Sequence, residues 1–397
     1  MTNFLIPQSS TEKKKHIVLI NTWKVINSKG GAERVFCELA NALAMMNYEV
    51  SAICCDREQG LPGYPLNDKV HFFNAYRGIP PLCRSPFKNI RCFRFSKQKR
   101  RINRKIFHCK WMSDSIKEII KKIPSVDLYI SFQAETTYML ATKIGVKNPI
   151  VTMLHSIPEF YFNEIGFSVY QKSVNLCSAI TVLRPEFISQ VRNKLPNAQI
   201  YCIPNAVTQF SIPSNLKEKS IICIARISPE KRLELLIKSF ALINRKFNEW
   251  KLVIYGDTNI NPSYTAYLNE LVQSYQLTHY ISLPGAISNI DYALSQASIF
   301  AFPSSFEGFG LALVEAMAKG VPPIGCKDCS AINTIIQDEI NGLLTSPDPK
   351  SFALALEKLI SNAALRTSLG DQARITASKY SAETIYPLWD SLIKRLL

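Results

Sequence analysis

The sequence predicts an α/β protein built from two doubly wound domains, and three observations carry that prediction. Short unbroken apolar runs such as His16–Asn21 (HIVLIN) recur along the chain, the pattern of parallel strands buried on both faces. Each of the best-defined runs is followed by a loop and a segment with helical apolar spacing. The alternation then stops at a polar stretch, Gln209–Lys219, and starts again beyond it.

The first unit of the pattern is the clearest. After His16–Asn21, residues 32–46 place Val35, Phe36, Leu39, Ala40, Leu43 and Ala44 on one helical face. Val50–Cys55 returns as a strand and completes a βαβ unit, which implies a parallel sheet with helices on both faces. Further strands are expected at Asp127–Phe132, Pro149–His155, Ala179–Leu183 and Ile200–Ile203. In the second half the spacing predicts strands at Ser220–Ala225, Lys251–Tyr255, Ile299–Phe302 and Val321–Gly325. Helices are expected at Lys231–Ile243, Gly310–Ala318 and Pro349–Ser361. Ser381–Leu397 is amphipathic, with Ile385, Leu388, Leu392, Ile393 and Leu396 on one side. The expected domains are therefore 1–209 and 210–380, with 381–397 as a final helix. Open parallel sheets bind ligands at the carboxyl ends of their strands, so two such sheets facing one another would make a cleft.

Composition narrows the class. The 397 residues are 47% hydrophobic and 20% charged, enough for two buried cores. Eleven cysteines show no framework spacing, which suits a reducing compartment better than a disulfide scaffold. No window approaches the ~18 apolar residues needed to span a bilayer, and the N-terminus does not read as a signal peptide. The expected location is cytoplasmic, peripheral on the inner face of the membrane. Charge is uneven: Arg77–Lys110 holds twelve Lys or Arg and no acid, so it carries +12 of the net +16. Phe87, Phe93, Phe95, Phe107 and Trp111 are interleaved with it or border it. Such a block attracts phosphates; a solvated helix face is the plainer reading. No helix-turn-helix, RRM or zinc-finger spacing accompanies it, so no nucleic-acid partner is expected.

The chemistry concentrates in the second half. From Pro303 to Ala318 (PSSFEGFGLALVEAMA) the chain passes from a strand end through a glycine-bearing turn into a helix. Free backbone N–H groups near Gly308, Phe309, Gly310 and Leu311 form an anion site. Glu307 and Glu315 bracket it, carboxylates suited to hydroxyl groups. Arg226 and Lys231 flank the loop after the first strand of this half, where a fixed guanidinium and a mobile ammonium suit a diphosphate. Read alone, each pair could be surface charge. His155 ends a first-half strand, and Gly30-Gly31 opens the first helix without the GxGxxG spacing. Cys326-Lys-Asp-Cys329 is a lone CxxC and reads as a loop rather than a zinc or redox site.

Taken in order, these residues resemble the retaining GT-B glycosyltransferases, in particular glycosyltransferase family 4 of bacterial surface polysaccharide and glycolipid synthesis. The resemblance rests on Gly-Gly-Ala-Glu-Arg at 30–34, His155, Ile-Pro-Asn-Ala-Val at 203–207, Arg226 with Lys231, the E-x7-E pair Glu307/Glu315, and Asn-Gly-Leu-Leu at 341–344. It departs from the family at Ala206 and Ala225, where glycine is usual, and at Gly256-Asp-Thr. The resemblance implies two Rossmann-like domains and a final helix that crosses back to the first. It implies a nucleotide-diphosphate sugar as donor, with uridine the common base, and a lipid-linked saccharide as acceptor. Arg226 and Lys231 would bind the diphosphate, Glu315 the ribose, and Glu307 the donor sugar with the amides of Gly308–Leu311. Gly31 would bring backbone to the diphosphate and His155 would lie by the reacting centre. With no Asp-x-Asp in the chain, no metal or other cofactor is expected. An epimerase or phosphorylase on the same scaffold is the competing enzyme class. The basic block would dock the protein on anionic membrane.

Overall fold

His16–Asn21 (β1) is buried at all six positions, because parallel neighbours pair with it on either side: Glu49–Cys54 (β2) and Leu128–Ser131 (β4). The structure is a computed structural model that describes residues 13–76, 110–162, 171, 174–287 and 289–397. Apart from Lys110, the basic segment Arg77–Lys110 lies outside the described residues. The chain divides into two units, Met1–Ile203 with Leu388–Leu397, and Pro204–Pro387. The division falls before the polar stretch 209–219 because that stretch is already bonded within the second unit. There Gln209 Nε2 donates to Ala377 O at 3.2 Å and Ser214 N–H to Lys319 O at 2.8 Å.

The first unit adds Val70–Asn74 (β3), Ile150–Leu154 (β5), Ala179–Val182 (β6) and Ile200–Cys202 (β7). Its seven strands run in the order β3-β2-β1-β4-β5-β6-β7, all pairs parallel. The second unit contains Ser220–Ile224 (β8), Lys251–Tyr255 (β9), Ile281–Gly285 (β10), Ile299–Phe302 (β11), Pro323–Cys326 (β12) and Leu343–Thr345 (β13). Its order is β10-β9-β8-β11-β12-β13, again parallel. Both sheets therefore reverse direction once. The reversal lies between β1 and β4 in one unit and between β8 and β11 in the other. At such a switch point the loops diverge and leave a crevice at the strand ends. Each sheet is covered by its own core, Val18, Ile20, Leu154 and Phe187 among the buried residues of the first, and Leu236, Phe240, Leu252 and Phe352 among those of the second.

Three expectations are corrected in detail. The helix expected at Lys231–Ile243 begins at Leu233; Pro229–Lys231 forms a 3-10 turn, and Arg232 between them is left-handed at φ 49°. The helix expected from Gly310 begins at Leu311, so Gly308 and Phe309 stand in the turn before it. In the last helix, Ala382–Leu396, Trp389 and not Leu388 completes the buried face, and Leu388 is exposed. The chain end Leu388–Leu397 belongs to the first unit, where Tyr48 Oη donates to Asp390 Oδ1 at 2.7 Å.

The helix Leu311–Ala318 is fixed at its far end. Gly320 N–H bonds Met317 O and Val321 N–H bonds Ala316 O, both at 2.9 Å, which is the Schellman closure. Helix Ala363–Ser378 crosses it so closely that a Cβ on Gly370 would lie 2.3 Å from Gly320 O. Gly→Ala inside a helix ordinarily stabilises by about 0.5–1 kcal/mol. Here overpacking against backbone should reverse the sign and cost about 1–3 kcal/mol. Gly370→Ala should therefore lower the melting temperature of the protein; an unchanged or raised value would mean that this crossing is loose.

Candidate functional site

The residues singled out in the second half come together at the β8/β11 switch point. Arg226 follows β8 and is exposed. Lys231 ends the 3-10 turn in the same loop, and its Nζ reaches across to the loop after β11. It donates to Glu307 Oε1 at 2.5 Å and to Phe306 O at 3.2 Å. Both partners of the ion pair keep only 13% of their side-chain surface. The two loops are also sewn through Ser305, whose N–H and Oγ both donate to Glu230 O at 2.9 Å. An ammonium has three donors. Two are spent on the loop.

The turn then reaches Gly310, whose φ of 84° makes it a left-handed N-cap, a conformation that glycine takes without a Cβ penalty. No side chain caps the helix that follows. Its first N–H groups thus lack the usual partner and the helix dipole adds positive potential there. Phe309 turns its ring inward onto Tyr380, edge to face at 5.2 Å, so it offers only its amide to a ligand. Glu315 is buried at 2% exposure, one turn into the helix. The structure thus gathers Arg226, Lys231, Glu307 and the Gly308–Leu311 turn, with Glu315 on the helix that the turn starts. Cys326 and Cys329 are buried free thiols near the end of β12. Burial pushes the Cys326 thiol up to about 11. No group of His, Cys, Asp or Glu suited to a metal occurs among the described residues.

The first unit holds the other two. Gly31 is the exposed first residue of helix Gly31–Met45. An added Cβ at Gly30 would meet Glu33 Oε2 at 2.2 Å, so Glu33 folds over the helix start. His155 follows β5, and its ring stacks on Phe132 with centroids 4.8 Å apart. Its backbone N–H donates to Tyr161 Oη at 2.8 Å, while Nε2 is buried without a hydrogen-bond partner. Desolvation alone lowers its pKa to about 4, so the imidazole is neutral at physiological pH. As a neutral imidazole it offers one N–H donor and one acceptor nitrogen.

Sequence reasoning missed three polar residues of the same region: Asn21, Asp56 and Gln133, at 0%, 5% and 1% exposure. Each stands at or just past the carboxyl end of a strand, and that position was the available signal.

The His155 environment makes stability depend on pH. The unfolded chain takes up the imidazole proton near 6.5 and the folded protein only near 4. Between those values the unfolded state binds more protons, so stability present at neutral pH is lost as pH falls from 6.5 toward 4. The loss amounts to roughly 3 kcal/mol at most. His155→Phe keeps a stacked ring and removes the titration. Its urea-unfolding midpoint should fall less steeply than that of the wild type over this range. Parallel curves would mean that His155 is solvated.

Comparison with known proteins agrees with this geometry. Residues 29–208 match the family model described as Glycosyltransferase Family 4, and residues 206–376 match Glycosyl transferases group 1. An uncharacterized glycosyltransferase of Haemophilus influenzae is 22% identical over 93% of this chain and 97% of its own length. A Campylobacter jejuni relative, 24% identical over 92% of this chain and 95% of its own, is named "GalNAc-alpha-(1->4)-GalNAc-alpha-(1->3)-diNAcBac-PP-undecaprenol alpha-1,4-N-acetyl-D-galactosaminyltransferase". Among solved structures, a variant of TarM from S. aureus in complex with UDP superposes with a TM-score of 0.75 at 15% identity, covering 96% of this chain and 99% of that one. Two parallel sheets with a single reversal each, the cationic and acidic cluster at one reversal, and family models over both halves lead to one conclusion: the chain belongs to the GT-B glycosyltransferases, of the family 4 type.

Proposed function

We propose that this glycosyltransferase moves a hexose or N-acetylhexosamine from a UDP-sugar to a lipid-linked saccharide, with retention of anomeric configuration and without a metal ion. The acceptor class follows the printed name of the C. jejuni relative, whose substrate is undecaprenol-linked. The pathway would be surface polysaccharide, lipopolysaccharide or glycan synthesis. The observation that carries the reading is the Lys231–Glu307 ion pair, in the loop that follows Arg226, beside a helix start that no side chain caps.

In the reaction the bond from the sugar's anomeric carbon to the diphosphate oxygen breaks, and its electron pair leaves with UDP. The acceptor oxygen bonds to the same carbon and gives its proton to the departing diphosphate oxygen. Charge grows on the leaving diphosphate, and that is where preorganised donors lower the barrier. Arg226, Lys231 and the amides from Gly308 to Leu311 would supply them. Glu307, oriented by Lys231, would face the sugar hydroxyls and Glu315 the ribose. Gly31 would add backbone N–H groups to the diphosphate. His155, neutral and half-buried, would hydrogen-bond near the reacting carbon. Basic side chains would take the place of a metal, since the sequence contains no Asp-x-Asp.

No helix among the described residues is long and apolar enough to cross a membrane. The Arg77–Lys110 block would hold the protein on an anionic membrane, each cation near the surface contributing ~1 kcal/mol. The lipid of the acceptor could then stay in the bilayer on the cytoplasmic side.

A panel of UDP-, GDP- and ADP-sugars, assayed in EDTA with membrane lipid extract as acceptor source, tests the reading. UDP should be released, more so with the extract, and the new linkage should keep the donor's configuration by proton NMR. Arg226→Ala should lower turnover about a hundredfold with the melting temperature unchanged, since Arg226 is exposed. Release that returns only with Mg²⁺ or Mn²⁺ would remove the metal-free mechanism. Wild-type turnover in Arg226→Ala would move the diphosphate elsewhere.

A further inference from the structure

The loop of residues 22–30, which leads from β1 to Gly31, is held at three points by residues far away in sequence. At its start, Thr22 donates through N–H (2.9 Å) and Oγ1 (3.0 Å) to Gln133 Oε1, just past β4. Gln133 is buried and is itself fixed, since its Nε2 donates to Asn21 Oδ1 at 2.7 Å. In the middle, the N–H groups of Val25 and Ile26 both donate to Asp56 Oδ2 at 2.8 Å. Asp56 follows β2, and its own N–H donates to Asn74 Oδ1 at the end of β3, 3.0 Å away. On the outer side, Asn27 N–H donates to Leu61 O at 3.2 Å and Gly63 N–H to Val25 O at 3.0 Å.

A carboxylate at 5% exposure is costly to desolvate unless it is fully engaged. Asp56 spends one oxygen on two successive backbone N–H groups, a charge-assisted arrangement stronger than neutral bonds. Val25 and Ile26 are buried, and the carboxylate pairs backbone N–H groups that water does not reach. What the arrangement does is set the path of the backbone four residues before Gly30. Gln133 sets the same path from the opposite side of β1.

We infer that Asp56 and Gln133 are positioning residues for the transfer reaction. They hold loop 22–30 in one conformation, so that Gly31 presents its backbone to the departing diphosphate without reorganisation. The inference rests on the proposed role of Gly31. Because the loop acts on the charge that develops as the bond breaks, its loss should be felt in kcat. Donor affinity should change little, since Arg226 and Lys231, the proposed diphosphate ligands, are not part of this loop.

The experiment is steady-state nucleoside diphosphate release from the best donor of the panel, with Asp56→Ala, Asp56→Asn and Gln133→Leu. Asp56→Ala should lower kcat about a hundredfold, the scale of a misplacement near 1 Å, with donor KM within about threefold of wild type. Asp56→Asn still offers an oxygen to both N–H groups and should recover kcat to within about tenfold. Gln133→Leu should show the same split between kcat and KM. Ser51→Ala is the control for stability alone, because it removes the buried 2.9 Å contact with His16 at the other end of the sheet. Its kcat should stay at the wild-type value. Wild-type kcat in the folded Asp56 and Gln133 variants would overturn the inference, as would a fall in Ser51→Ala matching theirs at equal stability. If the wild-type protein releases nucleoside diphosphate from no donor, the donor assignment itself fails and this inference falls with it.

Discussion

Two loops that leave adjacent strands of the second sheet are tied by one ion pair, Lys231 to Glu307. The rest of the candidate donor site depends on that tie. Taking two charges largely out of water costs several kcal/mol per ion, and attraction within the pair repays this only with good geometry and further hydrogen bonds. The geometry is good: 2.5 Å between the charges, a second bond to Phe306 O, and Ser305 doubly bonded to Glu230 O beside it. The pair is better understood as a device for position than as a source of stability. It orients the one carboxylate and the one ammonium that the sugar and diphosphate would meet. It also sets the course of the turn that ends at Gly310 and starts the uncapped helix.

The same topological logic recurs in the first unit. Its sheet reverses between β1 and β4, and there the chain must leave the sheet in two directions. Asn21 and Thr22 leave from β1, Gln133 from β4, and hydrogen bonds between them close the gap. In the second unit charged groups meet at the reversal; in the first, neutral amides do, with the Asp56 carboxylate one strand away. That difference in chemistry suits a unit that binds anions through side chains and one that presents backbone. Family membership fixes the class of reaction, glycosyl transfer. The residues at the reversals decide how this chain would carry it out.

The central strands were plain in the sequence because burial on both faces leaves no room for polar residues; β1, β5 and β11 fall where the apolar runs are. The strands that escaped, β3, β10 and β13, are all at sheet edges. Val70–Asn74 has one buried position, Ile281–Gly285 contains a proline and a shift of register, and Leu343–Thr345 is three residues long. An edge needs neither a continuous apolar run nor length. At the site, Arg226, Lys231, Glu307 and Glu315 stood out as charges among apolar strand and helix residues. Asp56 and Gln133 did not, because their meaning lies in bonds across 31 and 111 positions. No periodicity records such a bond. Arg232 shows the converse limit: proline at 229 was visible, but the left-handed residue that delays the helix to Leu233 was not.

A double-mutant cycle on the Lys231–Glu307 pair tests most directly whether one ion pair organises the donor site. Lys231→Met, Glu307→Gln and the double variant would be compared by urea unfolding and by donor turnover. Lys231→Met leaves a carboxylate at 13% exposure without its ammonium, and Glu307→Gln leaves the ammonium without its carboxylate. The stability lost by the double variant should therefore be smaller than the sum of the two single losses, with a coupling of about 1–3 kcal/mol. The double variant should regain much of the stability and none of the turnover. Additive losses in stability, or turnover that returns with it, would contradict the account.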